Sequence, residues 1–518
     1  MATPSEKLAQ SLEALRKLQN ANKAAAIRAD AISRTHRERL AQHGFLKEVI
    51  KGWFIPTRPD EPLGDSTSWY ASFWRFCAAY MKARFGNNWC LSPDQSLLIH
   101  SGNWTVPQQL LVRSPKGKNN AIALPFNTSL FDISSALPAA RMREEKEGLR
   151  IYTLPASLIE CSPRLFTSNP TDMRAALAQV KDASDLLEEL LSGGNTVIAG
   201  RLAGAFRNIG RNRIADDILK GMRAAGYSPR EVDPFAERIG GTESGREISP
   251  YVHRIKMMWH AMREDVIDHF PKAPGIPKNK TAFLKHIAEV YVTDAYHSLS
   301  IEGYMVTPEL IERVRTGKWN PESEGSDKEQ RNALAARGYW QAYQAVLKSL
   351  GKILKGKNPG QIADADHGAW YRELFAPSVA VGLLKPSDLA GYRNGPVYIR
   401  KSMHVPLNRD AVRDAMPTFF ELLKKEKDPA VRVVLGHFIF VYIHPYMDGN
   451  GRIGRFLMNG MLASGGYPWT VVPMESRTQY MEALEQASVN QNIVPFAEFL
   501  GKLVAKGMKG KPMAKLPR

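Results

Sequence analysis

Between His444 and Arg455 the chain reads HPYMDGNGRIGR. An imidazole and a carboxylate, His444 and Asp448, stand four residues apart, and Gly449, Asn450 and Gly451 then lead into Arg452 and Arg455. Each type has a chemical use. His444, with a reference pKa of about 6.5, can accept a hydroxyl proton. Asp448 is a hard oxygen ligand suited to Mg²⁺. Glycines on either side of Asn450 permit backbone angles that turn successive N–H groups toward one point, and a helix starting there adds its free amides and the positive end of its dipole. Such a nest suits phosphates. Arg452 and Arg455, three apart on that helix, bring two guanidiniums to the same anion. A calcium loop is a competing reading of DGNG, but it needs alternating oxygen ligands and an acid at its twelfth position, and those places hold Arg452 and Asn459. A plain turn explains the glycines but not the histidine together with both arginines.

The elements that must position these groups are helical. From Tyr251 onward, amphipathic segments at 251–270, 281–300, 308–316, 327–350, 410–426 and 429–443 predict a helix-rich domain. The last of these is the most apolar, so His444 is expected at the carboxyl end of a buried helix, with the glycine turn after it and a new helix beginning near Arg452. Only VYIRKSMHVPL, residues 397–407, alternates like a hairpin.

The amino-terminal half has a different texture. Residues 1 to about 30 carry Leu8, Leu12, Leu15 and Leu18 at helical spacing. A short basic helix is predicted from Ser33 to Gly44, followed by two strands turning at Lys51 and Gly52. Helix then hairpin is the layout of a winged helix, in which Arg34, His36, Arg37 and Arg39 would reach the phosphates or base edges of duplex DNA. A solvated basic helix on a domain surface explains the same residues equally well. Residues 65 to about 165 read as mixed α/β, with strands at QQLLVR and LRIYTL, and 171 to about 235 as helical. A joint is expected around 240–250. The domains expected are thus 1–60, 61–240 and 251–505, with a basic tail at 506–518.

Seventy Lys and Arg against 52 Asp and Glu give a formal charge of +18, which favours a polyanion or nucleotide partner. Three cysteines without a CxxC pair exclude a disulfide framework and a cysteine zinc site and fit a reducing cytosol. The longest nearly apolar run, 433–443, is too short for a bilayer, so a soluble, cytoplasmic protein with no membrane partner is expected.

The 444–455 stretch resembles the Fic family signature HPFxDGNGRxxR at every specified position except Tyr446, where the family usually has Phe. GYRNGPVYIRKSMHVPL, 391–407, is similar to the family's flap, and SRTQYMEAL, 476–484, to its adenine-covering segment. The likeness spans about 250–505. It implies an all-α core with one small β-hairpin flap, preceded here by a winged-helix and mixed α/β region. It further implies transfer of AMP from ATP to Ser, Thr or Tyr hydroxyls of target proteins. In that scheme His444 is the base and Asp448 holds Mg²⁺. Gly449, Asn450, Gly451 and Arg452 stabilise the reacting phosphate, Arg455 grips the γ-phosphate, and Asn459 and Tyr480 lie near the adenosine. Val397, Tyr398, Ile399, His404 and Val405 would dock the target strand. SLSIEG, Ser298 to Gly303, resembles the family's inhibitory pattern, in which Glu302 would occupy the γ-phosphate place on Arg455. Relatives that move UMP, phosphocholine or phosphate stay open, as does a DNA-binding regulator with a nucleotide-sensing Fic domain, and so does a homodimer. The amino-terminal half is similar to winged-helix antitoxins of abortive-infection systems, and a module presenting protein targets is the alternative.

Overall fold

The computed structural model describes residues 3–22, 26–62, 64–235, 249–319, 327–511 and 514–517. The expected joint at 240–250 lies mostly outside the described residues. Two compact units make up the chain. One is Met1–Arg254 with Tyr398–Val405, and the other is Ile255–Val397 with Pro406–Arg518.

The first unit opens with the helix Pro4–Asn22 and the short helix Arg34–Gln42. The Ser33 hydroxyl accepts the His36 N–H at 3.3 Å, satisfying one of the second helix's orphan donors. Strands Leu46–Ile50 and Trp53–Pro56 then pair antiparallel across Gly52, whose φ of 78° makes the tight reversal. Ile27–Arg28 pairs with the other edge of Trp53–Pro56. The helix Thr67–Phe85 sends Trp69, Phe73 and Phe76 into a core shared with a four-stranded sheet. In that sheet Gln109–Ser114 runs parallel to Ser129–Ser134, flanked by Cys90–Leu91 and Asn120–Ala123. Arg143–Lys146 and Leu149–Tyr152 form a separate hairpin. Helices from Leu154–Glu160 to Asn212–Ala224 close a second core around Leu177, Leu190, Phe206 and Ile218. All three cysteines are buried and unpaired.

The second unit is helical. The expected segments appear as Lys280–Ile301, Pro308–Arg315, Asp327–Leu354, Arg409–Lys425 and Pro429–Ile443. The helix Pro250–His269 leads into them from the first unit. The apolar Pro429–Ile443 helix is buried on nearly every side and begins at Asp428, whose Oδ1 accepts the N–H groups of Ala430 and Val431. It is followed by Asn450–Gly465, Arg477–Val489 and Val494–Met508. Pro359–Ala380 is a helix that periodicity did not reveal, because its apolar residues do not gather on one side. Its start signals were nevertheless present: Asn358 accepts the Gln361 N–H at 2.9 Å, and Pro359 occupies the first turn.

The hairpin expected at 397–407 is corrected. No strand forms there; the segment is extended, with one turn in which the Ser402 N–H reaches Ile399 O at 3.1 Å and Lys401 sits at φ 60°. Pro396 and Pro406 have no N–H to give a ladder, and the His404 N–H goes to Ser402 Oγ. Among the described residues, no helix is long and apolar enough to cross a membrane.

Two glycines of one helix make a matched test of packing. A Cβ on Gly338 would run into the Leu374 carbonyl of the neighbouring Pro359–Ala380 helix, whereas one on Gly351 meets nothing within 4 Å. Gly338→Ala is expected to destabilise by about 2 kcal/mol or more through overpacking. Gly351→Ala is expected to be neutral or to stabilise by up to about 1 kcal/mol, both read by urea unfolding.

Candidate active site

The Pro429–Ile443 helix ends on His444 in the left-handed region, φ 55° and ψ 60°, which is costly for a residue with a side chain. Arg393 holds it there. The Arg393 Nε donates to His444 O at 2.7 Å, its backbone N–H donates to Pro445 O at 2.9 Å, and its Nη2 donates to Leu407 O. This buried arginine joins both ends of the 396–406 segment to the histidine loop, and a lone arginine in GYRNG gave no periodic or motif signal of that role. The His444 Nδ1–H donates to Val441 O at 3.0 Å, which leaves the Nε2 lone pair as the basic site. Burial pushes the ring's pKa down to about 4 against the opposing pull of that hydrogen bond.

Asp448 is largely exposed, at 64% of its side-chain surface. Its Oδ1 accepts the Gly449 N–H at 2.6 Å and its Oδ2 accepts Arg452 Nη2 at 3.2 Å. Gly449, at φ 81°, caps the Asn450–Gly465 helix, whose first backbone bond is Ile453 N–H to Gly449 O. The amides of Asn450, Gly451 and Arg452 therefore precede the helix's own bonding. The Asn450 side chain does not add to this nest. Its amide gives to Tyr446 O at 2.8 Å and accepts the Tyr446 N–H at 2.9 Å, so it fixes the loop. Tyr446 in turn stacks on Tyr371, with centroids 3.8 Å apart.

Both arginines are buried. Arg452, 1% exposed, lies over the Tyr304 and Phe375 rings at 5.2 and 5.1 Å, and its Nε has no hydrogen-bond partner among the described residues. An orphaned guanidinium N–H beside three unused amides is a place for an anion. Arg455, 4% exposed, already has one. Its Nη2 donates to Glu302 Oε1 at 2.7 Å and to Ser298 O at 3.0 Å, and its Nε donates to Ser298 Oγ at 2.9 Å. Burial pushes this guanidinium down, but the Glu302 carboxylate outweighs it and holds the pKa above its ordinary value. Glu302 ends the Lys280–Ile301 helix, and Gly303 at φ 87° turns the chain away. The carboxylate rests on Gly451, where any Cβ would strike Oε1. A carboxylate thus stands on the anion nest.

Residues 365–462 match the model of the Fic/DOC family. The chain carries a Fic/DOC domain. The protein adenylyltransferase Fic of Nematostella vectensis is 26% identical over 253 residues, 48% of this chain and 55% of that protein. The protein of the same name in Drosophila mojavensis is 32% identical over 238 residues, 45% of this chain and 43% of its own. The chain thus spans about half the length of these curated relatives. The solved Fic-1 (aa134–508) from C. elegans is 18% identical, with a TM-score of 0.37 over 66% of this chain and 95% of that one.

Both residues expected near adenosine adjoin Arg455. Asn459 spends its amide on backbone, giving to Arg455 O and Thr470 O and accepting the Thr470 N–H at 2.8 Å, so it pins the 470 segment to the helix. Tyr480 is buried among Phe496, Phe499 and His437, and its hydroxyl meets His437 Nε2 at 2.7 Å. The tyrosine itself is 2% exposed.

Of the flap residues, Val397 stays with the Fic unit, whereas Tyr398, Ile399, His404 and Val405 belong to the amino-terminal unit. The candidate DNA contacts are largely engaged within that unit. Arg37 donates to Ala29 O and lies over Phe54, Arg39 donates to Lys7 O and Ser11 Oγ, and His36 Nδ1 meets the Ser11 hydroxyl. Arg34 is exposed and paired with Glu38 at 2.6 Å.

For a divalent cation the donor set is small. No cluster of three or more metal-ligating side chains exists among the described residues, and Asp448 is a single exposed carboxylate. That fits Mg²⁺, which typically takes one or two protein carboxylates and completes its shell with water and substrate phosphates.

The histidine supplies a direct check. Because its pKa is lowered, the ring is neutral above about pH 4 and becomes cationic only below it. Ring resonances of His444 in an NMR titration are expected to stay at their neutral positions from pH 5 to 8. A midpoint near 6.5 would mean that the ring is not desolvated as described.

Proposed function

We propose that the chain is a protein adenylyltransferase that restrains itself through Glu302. The observation that carries this reading is the Arg455–Glu302–Ser298 arrangement on the glycine nest, where a side-chain carboxylate takes the place that a nucleotide phosphate would take. The Fic domain and the adenylyltransferase names of its relatives support it.

In the proposed reaction the target hydroxyl oxygen attacks the α-phosphorus of ATP. A new oxygen–phosphorus bond forms, the bond to the α,β-bridging oxygen breaks, and pyrophosphate leaves. His444 Nε2 takes the hydroxyl proton, a role for which its neutral state and fixed tautomer suit it. The amides of Asn450, Gly451 and Arg452, with the free Arg452 Nε, face the charge that grows on the α-phosphate oxygens. Arg455, once Glu302 is displaced, holds the γ-phosphate. Asp448 would hold Mg²⁺, which supplies charge neutralisation between adjacent phosphates. Val397 to Ile399, whose amides form no backbone hydrogen bonds among the described residues, can pair with an extended target segment.

The test is a gain of activity. Glu302→Gly removes the competing carboxylate and is expected to raise incorporation of labelled AMP into the chain itself or lysate proteins by a factor on the order of 10², since loss of a shielded ion pair shifts the competent population by a few kcal/mol. Adding Arg455→Ala is expected to cancel the gain. A Glu302→Gly protein that binds ATP yet transfers no more than the parent would overturn the inhibitory reading.

The base is tested in that activated background. His444→Ala is expected to leave ATP affinity nearly unchanged and to lower transfer at least ~10²-fold, because the imidazole acts on the attacking hydroxyl and not on bound nucleotide. Equal turnover with and without the imidazole removes His444 from the mechanism.

A further inference from the structure

The segment that leads from Val397 to Pro406 is rooted in the Fic unit at both ends, where Arg393 bonds Leu407 O, His444 O and the Gly395 carbonyl. Its middle, Tyr398–Val405, belongs to the amino-terminal unit. Three polar contacts hold it there. The Arg400 Nε donates to Asp65 Oδ2 at 2.8 Å, the Lys401 N–H donates to Thr67 Oγ1 at 3.1 Å, and the Val106 N–H donates to Met403 O at 2.9 Å. Met403 and Val405 also pack against the core that contains Trp69, Phe73, Trp74 and Val106.

The acceptors on this side are rigid. The Asp65 side chain is 3% exposed, and its Oδ1 accepts both the N–H and the hydroxyl of Thr67, at 2.9 and 2.5 Å. Burial raises the Asp65 pKa, but the Thr67 and Arg400 bonds outweigh it, so the group stays ionised and the pair stays charged. Both residues sit at the start of the Thr67–Phe85 helix, which Trp69 anchors in the core. Val106 is itself fully buried. Lys401 and Met403 are two apart, and both point their bonded groups at the amino-terminal unit.

We propose that Asp65, Thr67 and Val106 are positioning residues for the target-docking segment, so that the amino-terminal unit sets the conformation in which a protein substrate is received. This rests on the reading of 397–405 as the docking segment. It gives the amino-terminal half a part in the transfer that needs no DNA. An isolated Fic unit would keep its nucleotide chemistry with a slack docking strand.

Amide hydrogen exchange in the full chain tests the clamp without requiring activity. Arg400 is more than half exposed, so Arg400→Ala removes the ion pair without opening the core. Combined with Thr67→Val, it is expected to speed exchange across 400–405 about tenfold while the Pro429–Ile443 and Asn450–Gly465 helices keep their protection, in line with losing one solvent-screened ion pair and one neutral hydrogen bond. Arg400→Lys with Thr67 intact is expected to retain most of the protection. In the Glu302→Gly background the double variant is expected to transfer at least ~5-fold less AMP to lysate proteins at unchanged ATP affinity. Unchanged exchange at 400–405, or a rise spread equally over both helices, would overturn the proposal. If Glu302→Gly transfers nothing at all, the adenylyltransferase reading fails, and the exchange result still decides whether the clamp exists.

Discussion

A buried guanidinium cannot be left without an anion, and the Fic unit is arranged around that constraint. Arg455 is almost fully enclosed, and a cation in such a place is tolerated only with a charge partner and satisfied N–H groups. Glu302 and Ser298 provide both. Any nucleotide that uses Arg455 must therefore substitute one anion for another, and the exchange is a competition at one site. Arg452, equally buried, completes the picture from the other side, because its Nε has no partner among the described residues and its guanidinium meets the exposed Asp448 and two aromatic faces. One arginine is satisfied in the resting chain and the other is partly waiting.

The scaffold keeps these groups from relaxing away. His444 and Gly449 both take left-handed backbone angles, and between them the Tyr446–Asn450 bonds and the Tyr446–Tyr371 stack hold the loop. A strained loop persists only where its surroundings over-determine it. Here the helices Pro429–Ile443 and Asn450–Gly465, buried along nearly their whole length, supply that determination. The same enclosure desolvates His444 and keeps it neutral, so rigidity and the neutral state of the imidazole have one cause.

How much of this could be read from the chain differs residue by residue. The 444–455 stretch was legible because its chemistry lies in residue types at fixed local spacing, and a glycine turn into a helix has the same geometry wherever it occurs. Ser298 and Glu302 were legible only through a motif, since nothing in SLSIEG itself announces a partner more than 150 residues away. Arg393 was not legible, because its function is a set of bonds to backbone carbonyls brought near by tertiary packing. The internal partners of Asn459 and Tyr480 were not legible either: Asn459 bonds Thr470 and the Arg455 carbonyl, and the Tyr480 hydroxyl meets His437, all through tertiary packing. The 397–407 alternation suggested a hairpin, yet alternation reports a two-sided environment and not a paired strand, and here the partners are Thr67, Val106 and the core around them.

The bonds around Arg455 also say how the Glu302 ion pair of the proposed restraint would open at least cost. The Arg455 side chain donates twice to Ser298 and once to Glu302, and both partners lie at the carboxyl end of one helix. That turn is held from elsewhere: Arg477 Nε donates to Ile301 O at 2.8 Å, and His297 accepts the Met474 N–H at 3.0 Å. Moving the helix would break all of these together. Rotating only the Glu302 side chain, which remains partly exposed, breaks one ion pair and leaves the Ser298 bonds to the guanidinium intact, at a cost that an incoming anion on Arg455 would offset. The second route is far cheaper, and it keeps Arg455 oriented throughout. In the proposed scheme, a single side chain on a fixed helix end would therefore leave without disturbing the arginine it pairs with.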